Sequence, residues 1–344
     1  KSEQERMKTL IGEAMIGLCR AGTSSPHPKS LVIADLGCSS GPNALALVLA
    51  AVDAVHRFCA QHAQPPPEMC VYLNDLPDND FNSVAKGLAA LKHGDRDDGL
   101  TDLVVVAGMI PGSFYERLFP HGSMHFVCSS NSLHWLSKAP EDLKEARIPM
   151  YDADEHLRLS RRAIVADAYA RQFRKNFTWF LSLRAQEVVP GGRMVISLFG
   201  RCSNNPTSIS NQAWQVVAVA LNDMAYRGFI DSEKLESFHI PLYAPLEKEV
   251  NEIIGDEGSF EVNEMLVRGP FSGVDEALVS PRIIASAIKA VFESTIAQHF
   301  GLSGEIMDEL VSTVERDLSS KLKKKAYHHQ DNNTFDSPIA SNSA

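Results

Sequence analysis

Asp35 closes an apolar run, Leu31-Val32-Ile33-Ala34, and precedes a turn of small residues, Gly37-Cys38-Ser39-Ser40-Gly41. A carboxylate at that point repels a pyrophosphate and suits a cation such as the aminoacyl sulfonium of S-adenosylmethionine. The glycines are spaced G-x-x-x-G, so the dinucleotide fingerprint is not met, and the lysine of a P-loop is missing. A bare glycine turn can also be no more than a tight connection. A second acid, Asp75, ends the run Met69–Leu73. There it could accept from both ribose hydroxyls while Leu76 packs on an adenine, or it could belong to a helix start ahead of Asp80 and Phe81. A third cluster, Asn131-Ser132-Leu133-His134-Trp135, follows the run His125–Ser130 and has the composition of a pocket lip.

Positioning these residues requires strands that all end at one edge. The run before Asp35 has the character of a strand buried on both faces. Ala44 to Phe58 then reads as a helix, with Leu45, Val48, Leu49, Val52 and Val55 at three- and four-residue spacing. Further strands are expected at Leu103–Ala107, His125–Ser130 and Arg193–Phe199. A helix is expected over Gln4–Cys19, and a long one over Leu159–Val188, stopped by Pro190-Gly191-Gly192. Alternating strands and helices give an α/β fold of Rossmann-like, doubly wound type. Beyond Gly200 the pattern turns helical, over Asn211–Arg227, Glu247–Gly255, Pro281–Phe300 and Gly304 to about Leu322, interrupted by a strand at Ser259–Val262. Residues 1–200 are therefore expected to form the cofactor-binding domain, 201–325 a mainly helical cap, and 326–344 a polar tail.

The chain has 344 residues and a formal charge of −10, which argues against a nucleic-acid partner. Its one basic cluster, Lys321 to Lys325, reads as a solvated helix end. Six cysteines lie scattered without C-x-x-C spacing, so zinc is not expected and reduced thiols in a cytoplasmic protein are. No apolar run reaches membrane-spanning length and no signal peptide is recognised. The first residue is Lys, and some N-terminal sequence is expected to be absent from this stretch.

Six blocks resemble the plant SABATH methyltransferases: ADLGCSSGPN (Ala34 to Asn43), LNDLPDNDFN (Leu73 to Asn82), PGSFYERLFP (Pro111 to Pro120), SLHWLS (Ser132 to Ser137), RAQEVVPGGRM (Arg184 to Met194) and the F-x-I-P-x-Y-x-P of Phe238 to Pro245. They occur in family order and span roughly residues 31 to 300. The resemblance implies a class I methyltransferase fold with a helical cap, S-adenosylmethionine as cofactor, a small carboxylic acid as substrate, and a homodimer. It places the cofactor against Asp35, Gly37, Cys38, Asn43, Asp75, Leu76, Ser113, Phe114 and Ser130. On the substrate side it implies Trp135 and His134 as the carboxylate-orienting, catalytic pair, beside Asn131, with Trp214, Tyr243 and Phe300 as an apolar clamp in the cap.

The sequence departs from the family at four points. Asn131 stands where an aromatic is usual, and the N-terminal lid with its substrate-binding Gln has no counterpart. The tail after Lys325 leaves the family pattern. The Asp-x-Phe-Asn that some relatives use beside magnesium reads Glu236-Ser237-Phe238-His239, which leaves a metal open. The expected reaction is methylation of an aromatic acid of the salicylate, benzoate or anthranilate kind. The alternatives are a jasmonate or indole-acetate methyltransferase, a xanthine-type N-methyltransferase, and a silent relative that only binds ligand.

Overall fold

The computed structural model describes residues 3–21, 30–41, 44–93, 105–201, 209–267, 280–301 and 304–332. Its centre is a five-stranded parallel sheet in the order β3-β2-β1-β4-β5. The strands are β1 (Ser30–Leu36), β2 (Glu68–Asp75), β3 (Val105–Pro111), β4 (Met124–Ser130) and β5 (Val188–Ser197). β1 lies in the middle, which explains why its run is apolar on both faces. The strand order reverses between β1 and β4, and a crevice opens at such a switch point outside the carboxyl ends. Asp35 sits there, level with Leu73 of β2 and Cys128 of β4.

Helices α1 (Glu3–Ala21) and α2 (Ala46–Gln61) pack on each other, α1 also on β4 and β5 and α2 on β1. Met7, Ile11 and Met15 from α1, with Val48, Val55 and Phe58 from α2, fill the core against Ile33, Met69, Val71 and Leu73. Burying one such side chain contributes about 1.5–3 kcal/mol. Helix α3 (Phe81–His93) leads away from β2, and α4 (Glu141–Glu145) precedes the long α5 (Glu155–Glu187). On α5 the rings of Phe173, Phe177 and Phe180, three and four residues apart, stack at 5.5 and 6.1 Å.

The chain divides into two compact units: residues 1–140, 167–205 and 241–269, and residues 141–166, 206–240 and 270–344. Within the second, α10 (Gly304–Asn332) packs on α6 (Ile209–Tyr226) and α9 (Pro281–Phe300). Ser280 caps α9 by accepting from the Ile283 amide. Short α7 (Ser232–Glu236) completes that unit, and α8 (Glu247–Glu257) lies in the first.

Several boundaries differ from expectation. The third strand runs to Pro111, four residues beyond Ala107, while Leu103 and Val104 lie outside the described residues. Pro190-Gly191-Gly192 does not separate helix from strand. Helix α5 ends at Glu187, β5 starts at once, and the glycines form a bulge between the pairs Met124–Val188 and Phe126–Arg193. Gly191 has φ +80° there, and a Cβ on Gly192 would meet the Val189 carbonyl at 2.9 Å. Residues 259–262 form no strand, since no partner segment pairs with them among the described residues. Helix α10 continues to Asn332, ten residues past Leu322, because the Lys-rich run after Ser320 carries ordinary helix formers. Among the described residues no helix is long and apolar enough to cross a membrane.

Candidate active site

The turn after β1 is built for close approach. Gly37 has φ +78°, and a Cβ there would lie 2.2 Å from the Ser132 hydroxyl oxygen. The Gly37 and Cys38 amides both donate to the Asn74 carbonyl at 2.9 Å, fastening the turn to β2. Asn74 is itself buried and donates to the carbonyls of Ile110 and Gly112. The Ser39 amide donates to one Asp75 carboxylate oxygen at 2.6 Å and the Leu76 amide to the other at 2.8 Å. Each oxygen keeps a lone pair for a further donor. Leu76 is half exposed at 50%, as a residue offering its face to a planar ring must be. The helix-start alternative belongs to the neighbouring acid, since it is Asp80 that accepts from the Ser83 amide.

Asp35 is buried, and its Oδ1 has no hydrogen-bond partner among the described residues. Desolvation pushes its carboxyl up to about 7, partly offset by a hydrogen bond from Cys128 and reinforced by the charge of Asp75. A buried carboxylate left incomplete is costly unless a cation completes it. Burial likewise pushes the Cys38 thiol up to about 12, so it is a small neutral wall and not a nucleophile. The orphaned oxygen of Asp35 fits the cationic aminoacyl end of S-adenosylmethionine, while the absence of a side chain at Gly37 makes room for Ser132. Asn43 lies outside the described residues.

From β3 the chain reaches β4 without a helix, through residues 112–123. That loop's backbone finds partners on α5 instead. Arg184 donates to the carbonyls of Phe114 and Glu116, and Glu187 accepts from the amides of Leu118 and Phe119. The two side chains form a fully buried ion pair at 2.8 Å. Gly112 donates to the Asp75 carbonyl, which brings Ser113 and Phe114 beside Asp75 and Leu76.

The lip after β4 carries the other chemistry. Asn131, with φ +52°, turns the chain while its amide donates to the Ser197 carbonyl. Asn is among the few side chains that tolerate this left-handed conformation. Ser130 ends β4, and its carbonyl accepts from Ser132, which also donates to Gly37. His134 is 8% exposed, and desolvation lowers its imidazole to about 4. Its Nδ1 faces the Phe199 amide at 3.4 Å. A backbone N–H only donates, which assigns the proton of the neutral ring to Nε2, a hydrogen-bond donor at neutral pH. Trp135 makes an antiparallel bridge with Leu242, and its neighbours His134 and Leu136 exchange backbone hydrogen bonds with Tyr243 and Pro241. The His134 and Trp135 rings lie 6.0 Å apart.

Tyr243, expected in the cap, belongs to the first unit. Its ring packs against Phe173 at 5.3 Å and under the Arg201 guanidinium, and its hydroxyl donates to Glu249. Phe300 lies in the second unit, packed within its own core against Phe238 at 5.0 Å. Trp214 is on α6, but its side chain lies outside the described residues. At the position of the magnesium motif, both ring nitrogens of His239 face backbone carbonyls, Ser237 and Ile148, at 3.0 and 2.9 Å. That ring is engaged and does not fit a metal ligand. Among the described residues no group of three or more His, Cys, Asp or Glu is placed to hold a metal. Motif reading gave no role to Asn74, Ser132, Arg184, Glu187 or Phe199.

Residues 1–334 match the family described as SAM dependent carboxyl methyltransferase. The chain belongs to this family. A jasmonate O-methyltransferase of Arabidopsis thaliana is 39% identical over 319 residues, covering 83% of this chain and 81% of that protein. An anthranilate O-methyltransferase of Zea mays is 32% identical over 345 residues, covering 95% and 89%. Among solved structures, loganic acid methyltransferase with SAH superposes with a TM-score of 0.77 at 27% identity, covering 92% of this chain and 86% of that one. The cofactor of this carboxyl methyltransferase is therefore S-adenosylmethionine, and the doubly wound sheet is the one such enzymes use.

Proposed function

We propose that this methyltransferase esterifies the carboxylate of a small aromatic acid of the salicylate, benzoate or anthranilate class. The observation that carries the reading is the convergence at the switch point. An incomplete buried anion, Asp35, stands at the end of β1, and neutral donors on His134 and Trp135 stand beyond the end of β4. The cofactor supplies an electrophilic methyl on a sulfonium when bound. Asp35, beside the Gly37 and Cys38 turn, would hold its cationic end, and Asn43 has that role on the family resemblance alone. Asp75 accepts from the ribose, Leu76 and Phe114 flank the adenine, and Ser113 and Ser130 complete the polar rim.

A carboxylic acid is already ionised at neutral pH, so the chain need not supply a strong base. Its tasks are to strip water from the anion and to aim one oxygen. The indole N–H of Trp135, with His134 Nε2–H, holds the other oxygen. The Phe199 ring, which lies beside His134, offers an apolar face to the organic body near Asn131; Tyr243, Trp214 and Phe300 have a part in the clamp on the family resemblance alone. The anthranilate relative supports an aromatic acid; the jasmonate relative makes a jasmonate-type acid the second reading. A homodimer, cytoplasmic residence, and the absence of nucleic-acid and membrane partners belong to the same proposal, on the family resemblance and the net negative charge. Radiolabelled methyl transfer should be screened over benzenoid acids, jasmonate, indole-acetate and xanthines. Labelling of a benzenoid acid as the best substrate supports the reading; labelling of xanthines alone, or of nothing, overturns it.

A further inference from the structure

Residues 131–140 follow β4 outside any helix or named strand, and besides the single bridge to Leu242 the Trp135 backbone has two further ties. Its amide donates to the Ser132 carbonyl at 3.0 Å, and its carbonyl accepts from the Tyr115 hydroxyl at 2.7 Å. Tyr115 is itself fixed on the cofactor-facing turn. Its amide donates to the Ser113 hydroxyl oxygen, its carbonyl accepts from the Trp179 indole, and Arg184 grips the carbonyls on either side. Its ring packs edge-on against Phe114 at 4.8 Å. The Tyr115 hydroxyl thus spans the distance between the turn that carries Ser113 and Phe114 and the backbone of Trp135.

We infer that Tyr115 is a positioning residue, tying the order of the cofactor-side turn to the backbone of the acid-orienting tryptophan. Burial raises its phenol above the ordinary range, so it stays a donor throughout the working pH interval. The inference rests on the reading of Trp135 given above. Its consequence is a split: losing the hydroxyl weakens the aim of the acid, not the grip on the cofactor.

The test is Tyr115→Phe in the full chain, which keeps the ring and its packing. Loss of one hydrogen bond should speed amide exchange across residues 132–137 about fivefold to tenfold, with or without S-adenosylhomocysteine, and leave residues 112–114 unchanged. With an acid the wild type methylates, kcat should fall by a similar factor while the KM for S-adenosylmethionine stays within about twofold. Unchanged exchange at 132–137, or equal losses in kcat and cofactor affinity, overturns the inference. The exchange arm needs no acid. A wild type that methylates none refutes the proposed substrate class, and the exchange result still decides the role of Tyr115.

Discussion

If Asp35 is a buried acid waiting for a cation, cofactor affinity must depend on pH in a calculable way. In the ligand-free chain burial raises its carboxyl to about 7. Beside the ammonium of S-adenosylhomocysteine the ionised form is favoured, so binding expels a proton wherever Asp35 was protonated. Apparent affinity should then fall about tenfold per unit below pH 7, or about thirtyfold between pH 8 and 5.5. At pH 7 about half a proton should leave per ligand bound, measurable by calorimetry in buffers of different ionisation enthalpy. Thermal stability is the wrong readout. An acid raised from 3.8 to about 7 contributes stability that is full below pH 3.8 and lost as pH rises through 7. His134, lowered from 6.5 to about 4, contributes stability present above pH 6.5 and lost as pH falls through 4. Between pH 4 and 6.5 the two slopes oppose, whereas in the proposed site it is Asp35 that would stand beside the ligand's ammonium. Asp35→Asn should bind roughly 10- to 100-fold more weakly at pH 8, for loss of a charge-assisted bond of about 1.5–3 kcal/mol, and show no pH dependence. Affinity that is flat from pH 5.5 to 8 in the wild type, or a slope that survives in Asp35→Asn, would refute the reasoning.

Trp135→Phe should lose roughly 10- to 100-fold in kcat/KM for the acid, the cost of one hydrogen bond to a charged oxygen, with S-adenosylhomocysteine affinity unchanged by calorimetry. Gly37→Ala places a Cβ 2.2 Å from the Ser132 hydroxyl oxygen at φ +78°, so cofactor binding should become undetectable while far-UV circular dichroism stays native. Arg184→Met leaves Glu187 charged and unpaired in the core, and should lower the urea-unfolding free energy by about 3–5 kcal/mol. A midpoint unchanged within error would show that the ion pair does not hold the 112–123 loop.

The strand ends and turn proposed for the cofactor were legible in the sequence, and the contacts around His134 and Trp135 much less so, for a physical reason. Asp35, Gly37, Asp75 and Leu76 each follow directly on an apolar run, so a short pattern fixes both the strand and what protrudes from its end. The proposed acid side is assembled from segments far apart in the chain: Tyr115 on Trp135, Tyr243 on His134, Phe199 on the His134 ring. Arg184 and Glu187, three residues apart on a helix, have the spacing of an ordinary exposed pair. Only the missing crossover helix between β3 and β4, which strands a loop's backbone groups, explains their burial. Pro190-Gly191-Gly192 carries the same residue signal as a helix stop and as a bulge, and only pairing with β4 decides between them. Tyr243 looked remote until the bridge at Leu242 drew it to the first unit. The same distinction bears on substrate choice. Sites set by short patterns resist change, because one residue alters both fold and ligand. Sites set by distant contacts can exchange a ring or a donor without disturbing the sheet. Relatives 32–39% identical to this chain are accordingly named for jasmonate and for anthranilate. The acid is therefore to be sought in the residues around His134, Phe199 and Tyr243, where substitutions should redirect substrate preference while leaving cofactor affinity in place.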